Sequence, residues 1–533
     1  MKRYDLIVVG AGPAGLSAAA EAAAHGLGVA VFDENSRPGG QLFKQIHKFF
    51  GSKEHKAKIR GYDIGAGLLR EAEGLGVKVY LNSPVTGMYL DREIVAETDG
   101  AVSHYRADAI VVATGASENM VAFDGWTLPG VMGAGAAQTM MNINRVRPGS
   151  RVLMLGSGNV GLVVGYQLLQ AGCELAAVVD AAPRVGGYGV HAAKLARCGV
   201  PFFLSHTIVK AEGETRVTGV VIGRVDETWN IVPGTQKHFD ADTICVAAGL
   251  SPSTRLLLMA GCEMYEPVPG GGRLPVCDEF TGKTSVQGIY AAGDVSGIEE
   301  ASSAMIEGRA AGAAAAAELG YISGGELKAR LDKLETALAS LREGMFAPKN
   351  RGKVFVKTDE GYDISDSLLR NGYLADGEAT KYPGVKSVAG IHPVIECTQN
   401  IPCNPCQDAC PKGCIKVGTN IVSLPAVDEK AGCIGCGMCV ASCSGQAVFL
   451  VNEDVGGGFA TVTAPYEFLP VPQKGERGVA LDRSGAPVCE AEIVDVRTSP
   501  SFDRTFLLTF RVPGEQCSRA RFWRREVRRF GRD

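Results

Sequence analysis

A chain of 533 residues exceeds a single hydrophobic core, and its length implies roughly three to four domains. Apolar residues make up 46% and charged residues 21%, which excludes a disordered or fibrous chain, and a net charge of −4 gives no general attraction to nucleic acid or anionic membrane. No uninterrupted apolar run reaches spanning length, because Glu307 and Arg309 break the alanine-rich stretch 301–318. Sixteen cysteines, in a chain that starts as a strand with no apolar leader or cleavage site, fit a reducing cytoplasm better than a disulfide framework.

Residues 4–9 form a continuous apolar run ending at Gly10, the pattern of a buried parallel strand. Gly10-Ala11-Gly12-Pro13-Ala14-Gly15 follows, then a helix to about 25 and a second strand at 29–32. In such a unit Gly10 makes the tight turn, Gly12 lets backbone approach a pyrophosphate, and Gly15 lets helix and strand pack closely. The helix N-terminus supplies N–H groups to the phosphates. An acid belongs at the end of the second strand to bind the ribose, and Asp33 and Glu34 stand there, Asp33 fitting the count slightly better.

The pattern returns with a strand at 152–155, Gly156-Ser157-Gly158-Asn159-Val160-Gly161, a helix, and a strand at 175–179 that ends at Asp180. Two such units imply two dinucleotide sites. A carboxylate at Asp180 accepts from both ribose hydroxyls and repels a 2′-phosphate, so NAD(H) is favoured over NADP(H), with the nearby Arg184 read as a surface residue. Between the units, a strand at 110–113 closes on Thr114-Gly115; later a strand at 243–247 closes on Ala248-Gly249, and residues 288–295 make a short strand and turn. Leucines at 327, 331, 334, 338 and 341 predict one amphipathic packing helix over 324–345, and 346–390 reads as an irregular link wrapping a neighbouring domain.

Nine cysteines fall between Cys397 and Cys443, and Cys403, Cys406 and Cys410 recur 33 residues later as Cys436, Cys439 and Cys443. The second copy, led by Cys433, has the bacterial ferredoxin spacing for a cubane cluster, so two 4Fe–4S clusters are expected. Since the fourth cysteine of each run ligates the other cluster, one set is Cys397, Cys403, Cys406 and Cys443, the other Cys433, Cys436, Cys439 and Cys410. The gap after Cys397 is longer than standard, Ser444 replaces a proline, and Cys414 takes the position of a small packing residue. Short apolar runs after 452 suggest a small β domain, and the last fifteen residues, with seven arginines and no lysine, read as a disordered end.

The first half of the chain resembles the two-dinucleotide flavoprotein superfamily that includes thioredoxin reductase and the glutathione reductase group. Gly39-Gly40-Gln41 resembles its turn along the flavin, Ala113-Thr114-Gly115 its strand end, and residues 289–295 (IYAAGDV) its later flavin motif. The resemblance covers about residues 1–322 and implies FAD, held by Gly10, Gly12, Pro13, Ala14, Gly15, Asp33 or Glu34, Gly40, Gln41, Thr114, Gly115, Gly293 and Asp294, with Gly249 a further cofactor-binding candidate. Asp294 would bond the ribityl chain. The nicotinamide set is Gly156, Gly158, Asn159, Gly161 and Asp180. The CxxC or CxxxxC dithiol of thioredoxin- and lipoamide-type enzymes is missing; Cys173, Cys198, Cys245, Cys262 and Cys277 stand isolated and read as packing residues. No acid–base residue is assigned, and His47, with Phe49 and Phe50, is read as loop packing.

The segments DENSRPGGQ (33–41) and FDGWTLPGVMGAGAAQ (123–138) also resemble the alpha subunits of multi-subunit amine and amino-acid dehydrogenases, of the dye-linked L-proline dehydrogenase, sarcosine oxidase, hydrogen cyanide synthase and opine oxidase type. That resemblance implies a hetero-oligomer with a flavoprotein dehydrogenase subunit. The expected fold is α/β: an FAD domain over 1–120 and 250–322, an NAD(P) domain over 121–249, a linker over 323–390, a ferredoxin-like α+β two-cluster module over 391–452, a small β domain over 453–515 and a basic tail over 516–533. Three functions compete: the electron-transfer subunit of such a complex, a stand-alone NAD(P)H:acceptor reductase akin to glutamate synthase small subunits and able to serve a ferredoxin-type carrier, and a non-catalytic cluster-bearing adaptor.

Overall fold

The computed structural model describes residues 1–89, 91–267, 272–346 and 364–525. These belong to two compact units, 1–119 with 249–356 and 120–248 with 357–533. In the first unit, Lys2–Val9 is completely buried from Leu6 onward, as a strand covered on both faces must be. It pairs in parallel with Val29–Phe32 (Leu6 beside Val29) and with Ala101–Val112 (Leu6 beside Ala109). The sheet runs in the order Lys78–Tyr80, Val29–Phe32, Lys2–Val9, Ala101–Val112, Glu93–Thr98, Val85–Met88, and Ile289–Ala291 pairs with the end of Ala101–Val112.

The alanine-rich helices Pro13–Ala24 and Ala301–Glu318 cover one face. Their small residues let the backbones nearly touch: a Cβ on Gly308 would stand 2.1 Å from the Ala14 carbonyl oxygen. On the other face Phe32 stacks on Tyr80 and meets Tyr105 edge-on. The leucine-spaced helix is Gly324–Leu341, started by a Ser323/Glu326 capping box, and it buries Leu334 and Leu338 against Ile306 and Ala310. The strand expected at 110–113 is the end of a twelve-residue one. Its polar, alternating first half forms an antiparallel meander with Glu93–Thr98.

The second unit opens with a parallel sheet, in the order Phe202–Leu204, Glu174–Asp180, Arg151–Leu155, Thr243–Val246, Val131–Gly133. A three-stranded antiparallel sheet, His206–Glu212, Gly219–Arg224 and Lys237–Asp240, is inserted before Thr243. Residues 364–390 hold the short helix Asp366–Asn371, which lies on this domain through Val185 N–H donating to Leu369 O at 2.8 Å. The rest of the expected link, 347–363, lies outside the described residues.

The boundary expected at 452 is corrected. Ile391–Ile395 and Val448–Asn452, which flank the cysteines, are two strands of one seven-stranded antiparallel sheet that continues through Phe459–Tyr466, Phe506–Pro513, Pro487–Arg497, Arg477–Leu481 and Phe522–Arg525. Val448–Asn452 offers a buried apolar edge, and Phe459–Tyr466 pairs with it, Val451 beside Val462, so no open edge separates two domains. Phe449, Phe510 and Trp523 share the resulting core.

The tail is corrected as well: Phe522–Arg525 is a strand on Arg477–Leu481, and the Trp523 indole N–H donates to Ala491 O at 3.1 Å. Arg521 is buried, with its Nε 2.6 Å from Glu396 Oε1, which also accepts from Arg483 Nη2 at 2.6 Å. Only residues 526–533 of the arginine-rich end lie outside the described residues. Among the described residues all sixteen cysteines are free of disulfides, and no helix is long and apolar enough to cross a membrane.

Candidate cofactor sites

In the first unit Gly10 takes φ +104°, and a Cβ there would stand 2.3 Å from Ala113 O. A Cβ on Gly15 would meet Gly10 O at 1.8 Å. Both positions therefore require glycine, and the turn brings the start of helix Pro13–Ala24 to the strand end with no side chain capping it. Asp33 is buried: its Oδ2 accepts from Ala11 N–H at 2.6 Å, and its Oδ1 accepts from Asn35 N–H at 2.7 Å. Glu34 is exposed. Gly39 N–H donates to Ala11 O at 2.7 Å, which lays Gly40 against Gly12, and Gln41 faces solvent.

Thr114 Oγ1 donates to Ser253 O at 2.8 Å, tying Ala116–Glu118 to its antiparallel partner Leu250–Pro252; Gly249 O accepts from Asn119 N–H at 3.0 Å. Gly293 N–H donates to Glu307 Oε2 at 3.1 Å. Glu307 pairs with Arg342, which also binds Glu299 at 2.8 Å, so the far end of helix Gly324–Leu341 clamps the Gly293-Asp294 turn. Burial, with the nearby carboxylates of Glu307, Glu300 and Glu299, pushes Asp294 up to about 6. In the role that the flavoprotein resemblance implies, a ribityl hydroxyl donating to Asp294 would favour its ionised form, and bound FAD would lower that value. FAD affinity should then be flat above about pH 6 and weaken by up to about tenfold per unit below it. Flavin-fluorescence titration of the apoprotein checks this, and Asp294→Asn should remove the pH dependence. His47 stacks on Phe49 with ring centroids 5.5 Å apart, as loop packing.

The second unit repeats the first. Asp180 Oδ2 accepts from Ser157 N–H and Ser157 Oγ, each at 2.6 Å, and Oδ1 accepts from Ala182 N–H at 2.9 Å. Gly187 N–H donates to Ser157 O at 2.9 Å, as Gly39 does to Ala11, and Asn159 Oδ1 accepts from Tyr188 N–H at 2.8 Å. Gly158 and Gly161 start helix Asn159–Gln170 in the same uncapped way. Arg184 is exposed on the intervening turn. The turn Gly186-Gly187 and Ser157 are site residues that motif reading passed over. The signal was present: Asp33, Arg37, Gly39 and Gly40 recur at the same spacing as Asp180, Arg184, Gly186 and Gly187.

In the cysteine module, Cys406 and Cys439 sit in paired short helices, Pro405–Asp408 and Met438–Ser442. Cys410, Cys433, Cys436 and Cys439 line one small cavity of about 10 Å³, together with Cys414, although Cys410 belongs to the first run. Cys397 and Cys406 are within electrostatic reach of Cys443, from the second run. Cys403 is anchored by its N–H, which donates to Ile421 O at 2.8 Å. Backbone N–H groups donate to sulfur, among them Cys414 to Cys410 at 3.2 Å, Ala447 to Cys443 at 3.3 Å and Gly435 to Cys433 at 3.4 Å. Such donors favour thiolates; at Cys410 they outweigh burial and lower its pKa. Burial instead pushes Cys397 up to about 12. Cys414 is buried, and its own thiol donates to Ala431 O at 2.8 Å.

Among the described residues no three His, Cys, Asp or Glu side chains are gathered as ligands of one metal ion. Four sulfurs about 2.3 Å from one zinc would stand only about 3.8 Å apart. A cubane is ligated at four separate irons and spreads its thiolates wider. The eight cysteines and the N–H···S bonds at Cys410, Cys433 and Cys443 are the donors such a cluster requires.

Two glycine-turn βαβ units, each closed by an aspartate, are the architecture of flavin- and nicotinamide-dependent oxidoreductases. The chain belongs to the pyridine nucleotide-disulphide oxidoreductase family, whose model matches residues 4–308 and ends before the cysteine module. It is 35% identical to one subunit of the opine oxidase of Agrobacterium tumefaciens (strain Ach5), over 60% of this chain and 67% of that one. It is 30% identical to the HcnB subunit of the hydrogen cyanide synthase of Pseudomonas aeruginosa, over 57% of this chain and 69% of that one. The structure of L-proline dehydrogenase from P. horikoshii aligns with 63% of this chain and 59% of its own, at 21% identity and a TM-score of 0.48. The chain is thus an FAD- and nucleotide-binding oxidoreductase, homologous to subunits of multi-subunit oxidases and synthases.

Proposed function

We propose that this protein carries electrons between NAD(H), FAD and two 4Fe–4S clusters, as the electron-transfer subunit of a cytoplasmic amino-acid or amine dehydrogenase complex. The observation that carries the proposal is that Cys410, from the first run, lines one cavity with Cys433, Cys436 and Cys439 of the second. That is the ligand swap of a two-cluster ferredoxin. When bound, these groups supply the chemistry: a flavin exchanges two electrons with a nicotinamide and single electrons with clusters.

The chain's residues do the holding. Asp33 and Asp180 shape the two phosphate turns, and a carboxylate at Asp180 supports NAD(H) over NADP(H). Asp294 and the Glu307–Arg342 clamp hold the turn at the ribityl chain, and the eight cysteines take the clusters. Ile434 lines the cavity of Cys433 yet is 58% exposed, an apolar contact for an electron-carrying partner beside the cluster held there. The subunit names of the opine oxidase and hydrogen cyanide synthase relatives support a partner subunit.

Anaerobic purification should yield about eight irons and eight sulfides per FAD. NADH should bleach the flavin, and dithionite should produce the low-temperature EPR of two coupled cubanes. A second flavoprotein active on proline or sarcosine should co-purify. An iron-free protein, or a flavin that NADH leaves oxidised, would overturn the reading; full cofactors without a partner would favour a stand-alone reductase.

A further inference from the structure

The second cysteine run differs from the first where it meets the nucleotide domain of its own unit. Offset by 33, Gly413 corresponds to Gln446 and Cys414 to Ala447. Gly413 takes φ +64°, and the next N–H donates to Cys410 Sγ. Gln446 takes φ +51°, and the next N–H donates to Cys443 Sγ at 3.3 Å. Glycine adopts that conformation freely, whereas a glutamine held there is strained and needs a compensating contact.

The compensating contact comes from the nucleotide domain. Buried Gln446 accepts at Oε1 from the Tyr166 hydroxyl at 2.9 Å and from Arg197 Nη2 at 3.4 Å. The adjoining Gly445 lies so close to helix Gly189–Arg197 that a Cβ there would stand 2.7 Å from Val190 Cγ2. The first run has no such tether in its sequence, with Lys412 and Gly413 at these two positions. Tyr166 lies on helix Asn159–Gln170, whose first turn belongs to the second dinucleotide site.

We propose that Tyr166 and Gln446 are a positioning pair through which the nucleotide domain sets the reduction potential of the cluster held by Cys397, Cys403, Cys406 and Cys443. The pair fixes the left-handed turn that aims Ala447 N–H at Cys443 Sγ, and hydrogen bonds to cluster sulfur stabilise the more negative, reduced state. The inference rests on the cluster reading above.

An EPR-monitored redox titration of the full anaerobic protein tests it. Tyr166→Phe keeps the ring, which packs 5.2 Å from Phe468, and removes only the hydroxyl. It should lower one cluster's midpoint by about 59 mV, a tenfold change in a one-electron equilibrium. The other cluster, whose cysteines do not belong to this loop, should hold its midpoint. Gln446→Gly tolerates the backbone angle but lacks the tether, and should shift the same cluster in the same direction. Unchanged midpoints in both variants at full iron content, or equal shifts of both clusters, would overturn the pairing and leave the cluster reading intact. A wild-type protein with no cluster signal would overturn the cluster reading and this inference with it.

Discussion

Cys410→Ala should remove the same cluster as Cys436→Ala, although the two residues belong to different runs. Each variant should fall from about eight irons to about four and lose the spin coupling between cubanes. The two reduced EPR spectra should match each other and differ from that of Cys406→Ala. The expectation follows from the cavity that Cys410 shares with Cys433, Cys436 and Cys439, and from the Cys414 N–H that donates to its sulfur. If Cys410→Ala instead matched Cys406→Ala, each run would fill its own cluster and the exchange would be refuted. Iron analysis and EPR of the three variants decide between them.

Arg521→Met should be the most destabilising change in the C-terminal sheet. Glu396 lies in the interior between Arg483 and Arg521. Burial alone would raise its pKa, but the two guanidiniums outweigh that and bring it down from 4.5 to about 2. A carboxylate so depressed contributes stability above its ordinary value and loses it as the pH falls from 4.5 toward 2. The shift corresponds to roughly 3 kcal/mol, the low end of the ~3–5 kcal/mol expected when one partner of a buried ion pair is removed. Urea unfolding followed by the emission of buried Trp523 should move to lower denaturant by that amount. The loss should shrink in acid, where Glu396 no longer needs its partners. A change within about 0.5 kcal/mol would place the pair among surface contacts.

What could be read from the chain alone was whatever depends on neighbours close in sequence. The strand at 29–32 is predicted to the residue, because a short apolar run between a glycine turn and an acid has few alternatives in a βαβ unit. The turns at Gly10–Gly15 and Gly156–Gly161 were legible as motifs, and the last glycine of each answers a demand inside the turn: a Cβ on Gly15 or Gly161 would stand 1.8 or 2.1 Å from the carbonyl oxygen of Gly10 or Gly156. The leucine helix was legible from its period, and the structure trims only its last turn. The expectation of two clusters likewise rests on the order of the cysteines along the chain.

Other features belong to contacts between distant segments. The polar strands Glu93–Thr98 and His206–Glu212 carry weak patterns, and pairing partners define them. Arg521 and Trp523 looked like an unstructured basic end until Glu396, more than a hundred residues earlier, and the edge strand Arg477–Leu481 gave them something to bind. The ferredoxin rule puts Cys410 with Cys433, Cys436 and Cys439, but the cavity that these four line together is a property of the folded module. Gln446 is the sharpest case: its residue type says nothing about a left-handed turn, and the Tyr166 hydroxyl that holds it comes from another domain. Local sterics act within a few residues and leave a mark in sequence, whereas burial, ion pairing and strand edges are satisfied across the fold.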